Sequence, residues 1–341
     1  MVGGLKRALA HLLYVLFLVL PVISPPFLWA QLPPPPEPET VMRVDVDLVV
    51  LPVSVTDNQY RGVSGLGAEN FEVYEDGVRQ EITRVQELDS PISVGLLFDA
   101  SGSVTGNIEL CRGAVRTFFG FAHPDDEYFL IEFATRPVLL VPFTTEIERI
   151  LGHVGAARAG GRTAMYDAVF RALAQMEKAR HKRKILLVLS DGQDNFSSTT
   201  EQDVANILMR MENSVQIYTL GVSPLRGFPL IQKQFGNQLP AELRMGPINL
   251  ARLAEMSGGR SFILDGPDRL LDTVGKISRE LRTQYEVVYH SSTSSGNSQW
   301  RTVRLEVKPP RGVARLEAHT RPGYFPASAP RSSLPGGRTP N

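Results

Sequence analysis

The chain predicts an α/β fold: a doubly wound, mostly parallel sheet accompanied by a small β domain built from the N- and C-terminal flanks. Two patterns lead there. Between residues 91 and 282, continuous apolar runs alternate with stretches of helical periodicity, as in a sheet covered by helices on both faces. At either end of that region the hydrophobic period drops to two, as in half-buried strands. Length agrees, because 341 residues with 43% hydrophobic content can bury one full core and a smaller second one.

Residues 1–30 read as a targeting segment. Lys6 and Arg7 precede the apolar run ALAHLLYVLFLVLPVI, and the small Ala30 could close a signal-peptide cleavage site. Leu28 suits such a site poorly, so an uncleaved membrane anchor is the alternative. On either reading the rest of the chain is expected to be exported, to periplasm, cell surface or medium. Residues 31–41, with the run QLPPPPEPE, form a proline-rich spacer.

The N-terminal β module is expected over residues 42–88. Val44, Val46 and Leu48 alternate with Asp45 and Asp47, TDNQYRG reads as a turn, and Asp76-Gly77 is a hairpin signal. A C-terminal β module, residues 283–325, contributes QYEVVYH, WRTVRLEVK and VARLEAHT. Each block is short for an independent core, so the two are expected to pair into one sandwich-like domain with the middle inserted. Residues 326–341 have the composition of a disordered tail.

Within residues 91–282 the expected strands are ISVGLLF, EYFLIEF, VLLVPF, KILLVLS, VQIYTLGV and RSFILD. Helices are expected over 107–121, 146–154, 164–178, 201–211, 248–256 and 268–281. EYFLIEF and VLLVPF are joined by only a short turn, so one edge strand should run antiparallel. Ligands of such sheets bind at the carboxyl ends of the strands.

Charge and cysteine use exclude several classes. Lys+Arg and Asp+Glu stand at 36 each, and no basic stripe with interleaved aromatics occurs, which argues against nucleic-acid binding. The single cysteine, Cys111, forbids an intramolecular disulfide and sits in an expected helix as a small packing residue.

The strand-end residues carry the chemistry. Asp99, Ser101 and Ser103 follow the first α/β strand, Thr163 follows two glycines at a helix start, and Asp191 follows the fourth strand. Oxygen side chains from three loops on one rim suit a hard divalent cation, Mg²⁺ or Mn²⁺. With only two of the five acidic, the ion keeps net positive character and favours an incoming carboxylate.

Asp-x-Ser-x-Ser at 99–103, Thr163 in Gly-Gly-x-Thr and Asp191 in Ser-Asp-Gly resemble the metal-ion-dependent adhesion site of von Willebrand factor type A domains. The resemblance covers residues 91–281 and implies a doubly wound sheet with a metal at its top. It further implies that Ser101 and Ser103, with Thr163 or an aspartate according to state, ligate the ion directly. The remaining acids would act through water, and an Asp or Glu of a protein partner would complete the shell. The leader VSVTDNQYRGVSGLGAENFEVYEDGVRQEI, with the later Tyr-x-Val-x-Tyr block, is similar to flanking blocks of exported bacterial type A-related proteins.

Two other signals bear on function. AHPDDE, residues 122–127, resembles a zinc motif of sugar N-deacetylases, but falls between a helix and the next strand and lacks a downstream His-x-x-His; a turn is the plainer reading. No G-x-S-x-G, Walker or zinc-protease motif occurs. The segment 223–247 is long for a loop of a compact domain and carries apolar Phe228, Leu230 and Phe235, candidate partner contacts or packing residues. The expected function is therefore a non-enzymatic, metal-dependent protein-binding module. The alternatives are an assembly subunit whose metal only stabilises loops, and a metal hydrolase at His123.

Overall fold

The computed structural model describes residues 48–211, 215–222, 241–264, 266–292, 299–312 and 315–326, with backbone only at 241–244. The targeting segment, the spacer and the tail from residue 327 lie outside this set, as do Phe228, Leu230 and Phe235. All described residues belong to one compact unit, Asp45–Asn341. No described helix is long and apolar enough to cross a membrane.

The N-terminal flank supplies β1 (Leu48–Thr56), β2 (Phe71–Glu75), β3 (Val78–Gln80) and β4 (Ile82–Leu88). At the β2–β3 turn Asp76 and Gly77 take φ of 49° and 82°, the pair of positive angles that a two-residue hairpin turn of right-handed twist requires. The α/β region follows with β5 (Ile92–Asp99), α1 (Ile108–Phe119), β6 (Glu127–Phe133), β7 (Pro137–Thr144), α2 (Ile147–Ala156), α3 (Met165–Met176), β8 (Arg183–Ser190), α4 (Glu201–Arg210), β9 (Val215–Val222), α5 (Ala241–Glu255), β10 (Ser261–Leu264) and α6 (Leu270–Arg282). The C-terminal flank adds β11 (Gln284–His290), β12 (Arg301–Val307), β13 (Glu317–His319) and β14 (Gly323–Tyr324).

The central sheet has the order β10-β9-β8-β5-β6-β7. All its neighbours are parallel except β6 and β7, so the expected antiparallel strand is at the edge. Alternation along β5 divides the core in two. Ile92, Val94, Leu96 and Phe98 pack with Val115, Phe118, Ile150 and Ile277, under α1, α2 and α6. Leu97 packs on the other face with Phe129, Val169, Leu173, Val204 and Leu250, under α3, α4 and α5. Gly95 makes this face possible, since a Cβ there would lie 2.2 Å from the Phe129 ring and 2.5 Å from Leu186. The strand order reverses between β5 and β8, because β5 leads to β6 on one side while β8 lies on the other. The loops leaving those two strands therefore diverge and leave a crevice at their carboxyl ends.

The flanks pair as expected. One four-stranded sheet has the order β13-β1-β11-β4 and a second the order β14-β12-β2-β3. β11 lies antiparallel between β1 and β4, with Leu48 opposite His290 and Leu88 opposite Gln284. Val49, Leu51, Val53, Phe71, Val73, Tyr285, Val287 and Tyr289 fill the space between the sheets. The sandwich meets the α/β unit through buried polar groups around β9 and α6. Ser54 Oγ lies 2.9 Å from Tyr218 Oη, which donates to Glu280 Oε1 at 3.1 Å, while Arg260 donates to Glu280 Oε2 at 2.7 Å.

One expectation needs correction. The segment 223–247 is not a loop throughout, since α5 begins at Ala241 and runs through Pro247, rather than starting at Ile248. Gly246 explains the placement: its backbone presses on Asp191 and Gly192, a contact invisible to a reading that takes Gly-Pro as a helix boundary.

Candidate functional site

The five oxygen side chains lie at the carboxyl ends of β5 and β8, in the loops that leave them, and on the loop before α3. β5 is apolar through Phe98 and ends in Asp99, whose carboxylate is wholly buried. Asp99 Oδ1 accepts the Ser101 N–H at 2.8 Å, which turns the chain sharply out of the strand. A single 3₁₀ stretch, Gly102–Asn107, then carries Ser103 back toward the strand ends, with Ser101 Oγ and Ser103 Oγ 2.9 Å apart. Ser103 also favours the ionised form of Asp191, the first residue past β8. Asp191 also accepts the Gln193 N–H and side-chain amide, each at 3.1 Å.

Thr163 is placed by the loop before α3. Gly102 N donates to Gly161 O at 3.0 Å and Gly160 N to Ala100 O at 2.8 Å, tying that loop to the Asp99 turn. Gly161 has φ of +80°, which favours glycine. Thr163 N donates to Asn195 Oδ1 at 3.0 Å, and Thr163 O accepts from Asn195 N and Phe196 N. Asp194 accepts the Tyr166 N–H at 2.9 Å, fixing the loop after β8 to the first turn of α3. The three loops are thus cross-linked before any ligand is considered.

Sequence reasoning missed three of these residues. Ser190 donates to Asp99 Oδ2 at 2.6 Å and accepts from Gly192 N at 2.9 Å, so it bridges the two carboxylate loops. Asp194 and Asn195 splice the third. A serine closing an otherwise apolar strand, and Asx residues just past it, are the signals that were there to read.

The electrostatics are those of a site short of positive charge. Burial pushes Asp99 up to about 7; hydrogen bonds from Ser101 and Ser190 oppose the shift, and the like charge of Asp191 adds to it. Burial also raises Asp191. Cys111, buried below, has its thiol raised by burial and by both aspartates. Among the described residues no Lys or Arg forms an ion pair with Asp99 or Asp191. The donor set is all oxygen, two carboxylates and three hydroxyls, which fits a hard divalent cation and would offset the buried negative charge.

The His123 motif is placed elsewhere, at the amino end of β6. Asp126 accepts from Ile92 N at 2.9 Å, His123 N at 3.1 Å, Tyr128 Oη at 3.0 Å and the Arg282 guanidinium. Burial alone would raise this carboxyl, but Arg282 and the backbone donors hold it below the usual range. Its lone pairs are spent on folding, and His123 stands exposed beside it.

Residues 94–193 match the sequence model of the von Willebrand factor type A domain. The central α/β unit has the type A fold. Solved structures resemble it at low identity. A von Willebrand factor type A protein from Catenulispora acidiphila is 12% identical, covering 81% of this chain and 73% of that one, with a TM-score of 0.45. The conserved hypothetical protein BatB from Bacteroides thetaiotaomicron is 15% identical over 56% of this chain and 100% of its own, TM-score 0.44. The PilB minor pilin from Streptococcus sanguinis is 13% identical over 57% and 62%, TM-score 0.42. No curated protein sequence matches the chain. Asp99, Ser101, Ser103, Thr163 and Asp191 all fall inside the matched type A segment. Type A domains generally serve protein–protein interaction.

Proposed function

We propose that the chain is an exported, non-enzymatic binding protein whose type A unit captures an acidic group of a protein partner through a divalent metal, Mg²⁺ or Mn²⁺. Ser101, Ser103 and Thr163 would hold the ion, with Asp99 and Asp191 bound to it directly or through water. The ion supplies a Lewis-acidic position for a carboxylate. The chain's own residues orient it, because Ser190 fixes Asp99 and the backbone ties among residues 100–102, 160–163 and 195–196 fix the three loops.

One observation supports this reading: Asp99 and Asp191 are buried with raised pKa beside the paired Ser101 and Ser103 hydroxyls, and among the described residues neither carboxylate forms an ion pair. The same cross-links weigh against a metal that merely stabilises loops, since those loops already hold one another. Calorimetric titration of the chelator-treated chain with manganese tests it. Wild type should bind one ion, while Asp99→Ala and the double variant Ser101→Ala/Thr163→Ala should lose binding and keep their far-ultraviolet dichroism. Equal titration of wild type and Asp99→Ala would sink the proposal.

A further inference from the structure

The rim around the candidate ion has two unlike sides. One side is formed by residues 134–136 after β6 and residues 157–163 before α3. These loops carry Arg136, Arg158 and Arg162, all exposed. They are locked together and to the Asp99 turn, with Arg162 N donating to Thr135 Oγ1 at 3.1 Å and Gly160 N to Ala100 O at 2.8 Å. The Arg162 guanidinium rests 4.7 Å from the centroid of the Phe196 ring, which limits its freedom.

Among the described residues none of these three guanidiniums makes an ion pair. The carboxylates close by are already engaged. Asp194 receives Tyr166 and Ser197, and Asp167 receives Ser198 and Thr199. A divalent ion would roughly neutralise Asp99 and Asp191, so the surface left to a ligand carries the uncompensated charge of the arginines. A single carboxylate on the metal leaves that charge unanswered.

The opposite side is apolar. The turn of α5 that presses on Asp191 and Gly192 is tied down by Asn249 Nδ2 donating to Gly192 O at 3.0 Å. It presents Met245 and Ile248, 42% and 48% exposed. Large apolar side chains at that exposure around a polar crevice mark contact surface.

We infer that the ligand is an acidic protein segment of mixed character. One carboxylate reaches the metal, at least one further Asp or Glu faces Arg158 and Arg162, and a large apolar side chain lies against Met245 and Ile248. This rests on the metal reading above and adds the composition of the partner.

Short labelled peptides test it by fluorescence anisotropy in magnesium. Each has a central Glu with Asp residues on one side and Leu on the other, in both orders. Controls replace the flanking Asp with Asn, or the central Glu with Gln. At low salt the better Asp-flanked order should bind roughly tenfold tighter than its Asn counterpart, the scale of two rim charge pairs. Arg158→Gln/Arg162→Gln should erase that preference and leave manganese binding unchanged. Met245→Ser/Ile248→Ser should weaken the Leu-bearing peptides alone.

Equal binding of Asp- and Asn-flanked peptides, or no peptide binding by a chain that does bind manganese, overturns the inference and leaves the metal reading standing. Tighter binding of a sulfated oligosaccharide than of any peptide also overturns it. A wild-type chain that binds no manganese ends the metal reading, and the inference with it.

Discussion

Replacing Gly246 with alanine sets helix propensity against contact. Gly246 lies inside α5, where alanine is ordinarily better than glycine by about 1 kcal/mol. Here the added Cβ would stand 2.2 Å from Asp191 O and 3.3 Å from Asp191 C. Both are backbone atoms at the end of a central strand, so neither can swing aside. To restore ordinary contact, α5 must retreat from the Asp191–Gly192 loop by more than about 1 Å, and overpacking of this kind costs about 1–3 kcal/mol. Because the 2.2 Å clash is with backbone, the cost lies in the upper part of that range, about 2–3 kcal/mol, and leaves Gly246→Ala less stable by about 1–2 kcal/mol.

Gly152 is the internal control. It sits exposed in α2 with nothing within 4 Å of a built Cβ, so Gly152→Ala should gain about 0.5–1 kcal/mol. Urea unfolding followed by tryptophan fluorescence and dichroism compares the three proteins. Manganese titration of the same samples should show weaker binding only for Gly246→Ala, because the Asp191–Gly192 loop loses the brace that α5 gives it. A Gly246→Ala chain as stable as wild type would refute the claim that α5 braces the candidate site.

Gly95→Ala should destabilise by about 1–3 kcal/mol in the same assay, since its Cβ would meet the Phe129 ring at 2.2 Å inside a filled core. Glu280→Gln strands the buried Arg260 guanidinium without a counter-charge and should cost about 3–5 kcal/mol, read as a fall in the urea midpoint. His319 is pushed down to about 4 by burial and by Arg260 nearby. The unfolded chain therefore takes up this proton first, and stability should fall as pH drops from 6.5 to about 4. The effect is at most about 3 kcal/mol. His319→Gln should flatten that part of a pH–stability profile while leaving the region above pH 7 unchanged.

Much of this architecture was legible because strands and helices announce themselves by different periods. ISVGLLF and KILLVLS carry apolar residues on both faces, as a doubly covered sheet requires, and the short link after EYFLIEF forced an antiparallel edge. Asp99, Ser101, Ser103 and Asp191 were legible as residues at strand ends, and Thr163 as one in the loop before a helix, because chain order places them there. Ser190 escaped notice because a serine closing a strand looks like ordinary turn chemistry; its hydrogen bond to Asp99 spans 91 positions in sequence. The start of α5 escaped for the opposite reason. Gly246-Pro247 locally signals a boundary, and only the approach of another loop, supplied by the tertiary fold, shows why glycine is wanted within a helix.

β4 and β11 are the two connections through which the chain passes into and out of the type A unit, and they are neighbours in one sheet with Leu88 opposite Gln284. A pull applied at the rim therefore tugs both connections from the same end. Between β11 and β1 it acts lengthwise along the ladder from Leu48–His290 to Ser54–Gln284, so these pairs share the load in shear and do not peel one at a time. A domain inserted in this way is mounted like a hook on a double shank, and tension applied at its rim is borne by the sandwich's own hydrogen bonds.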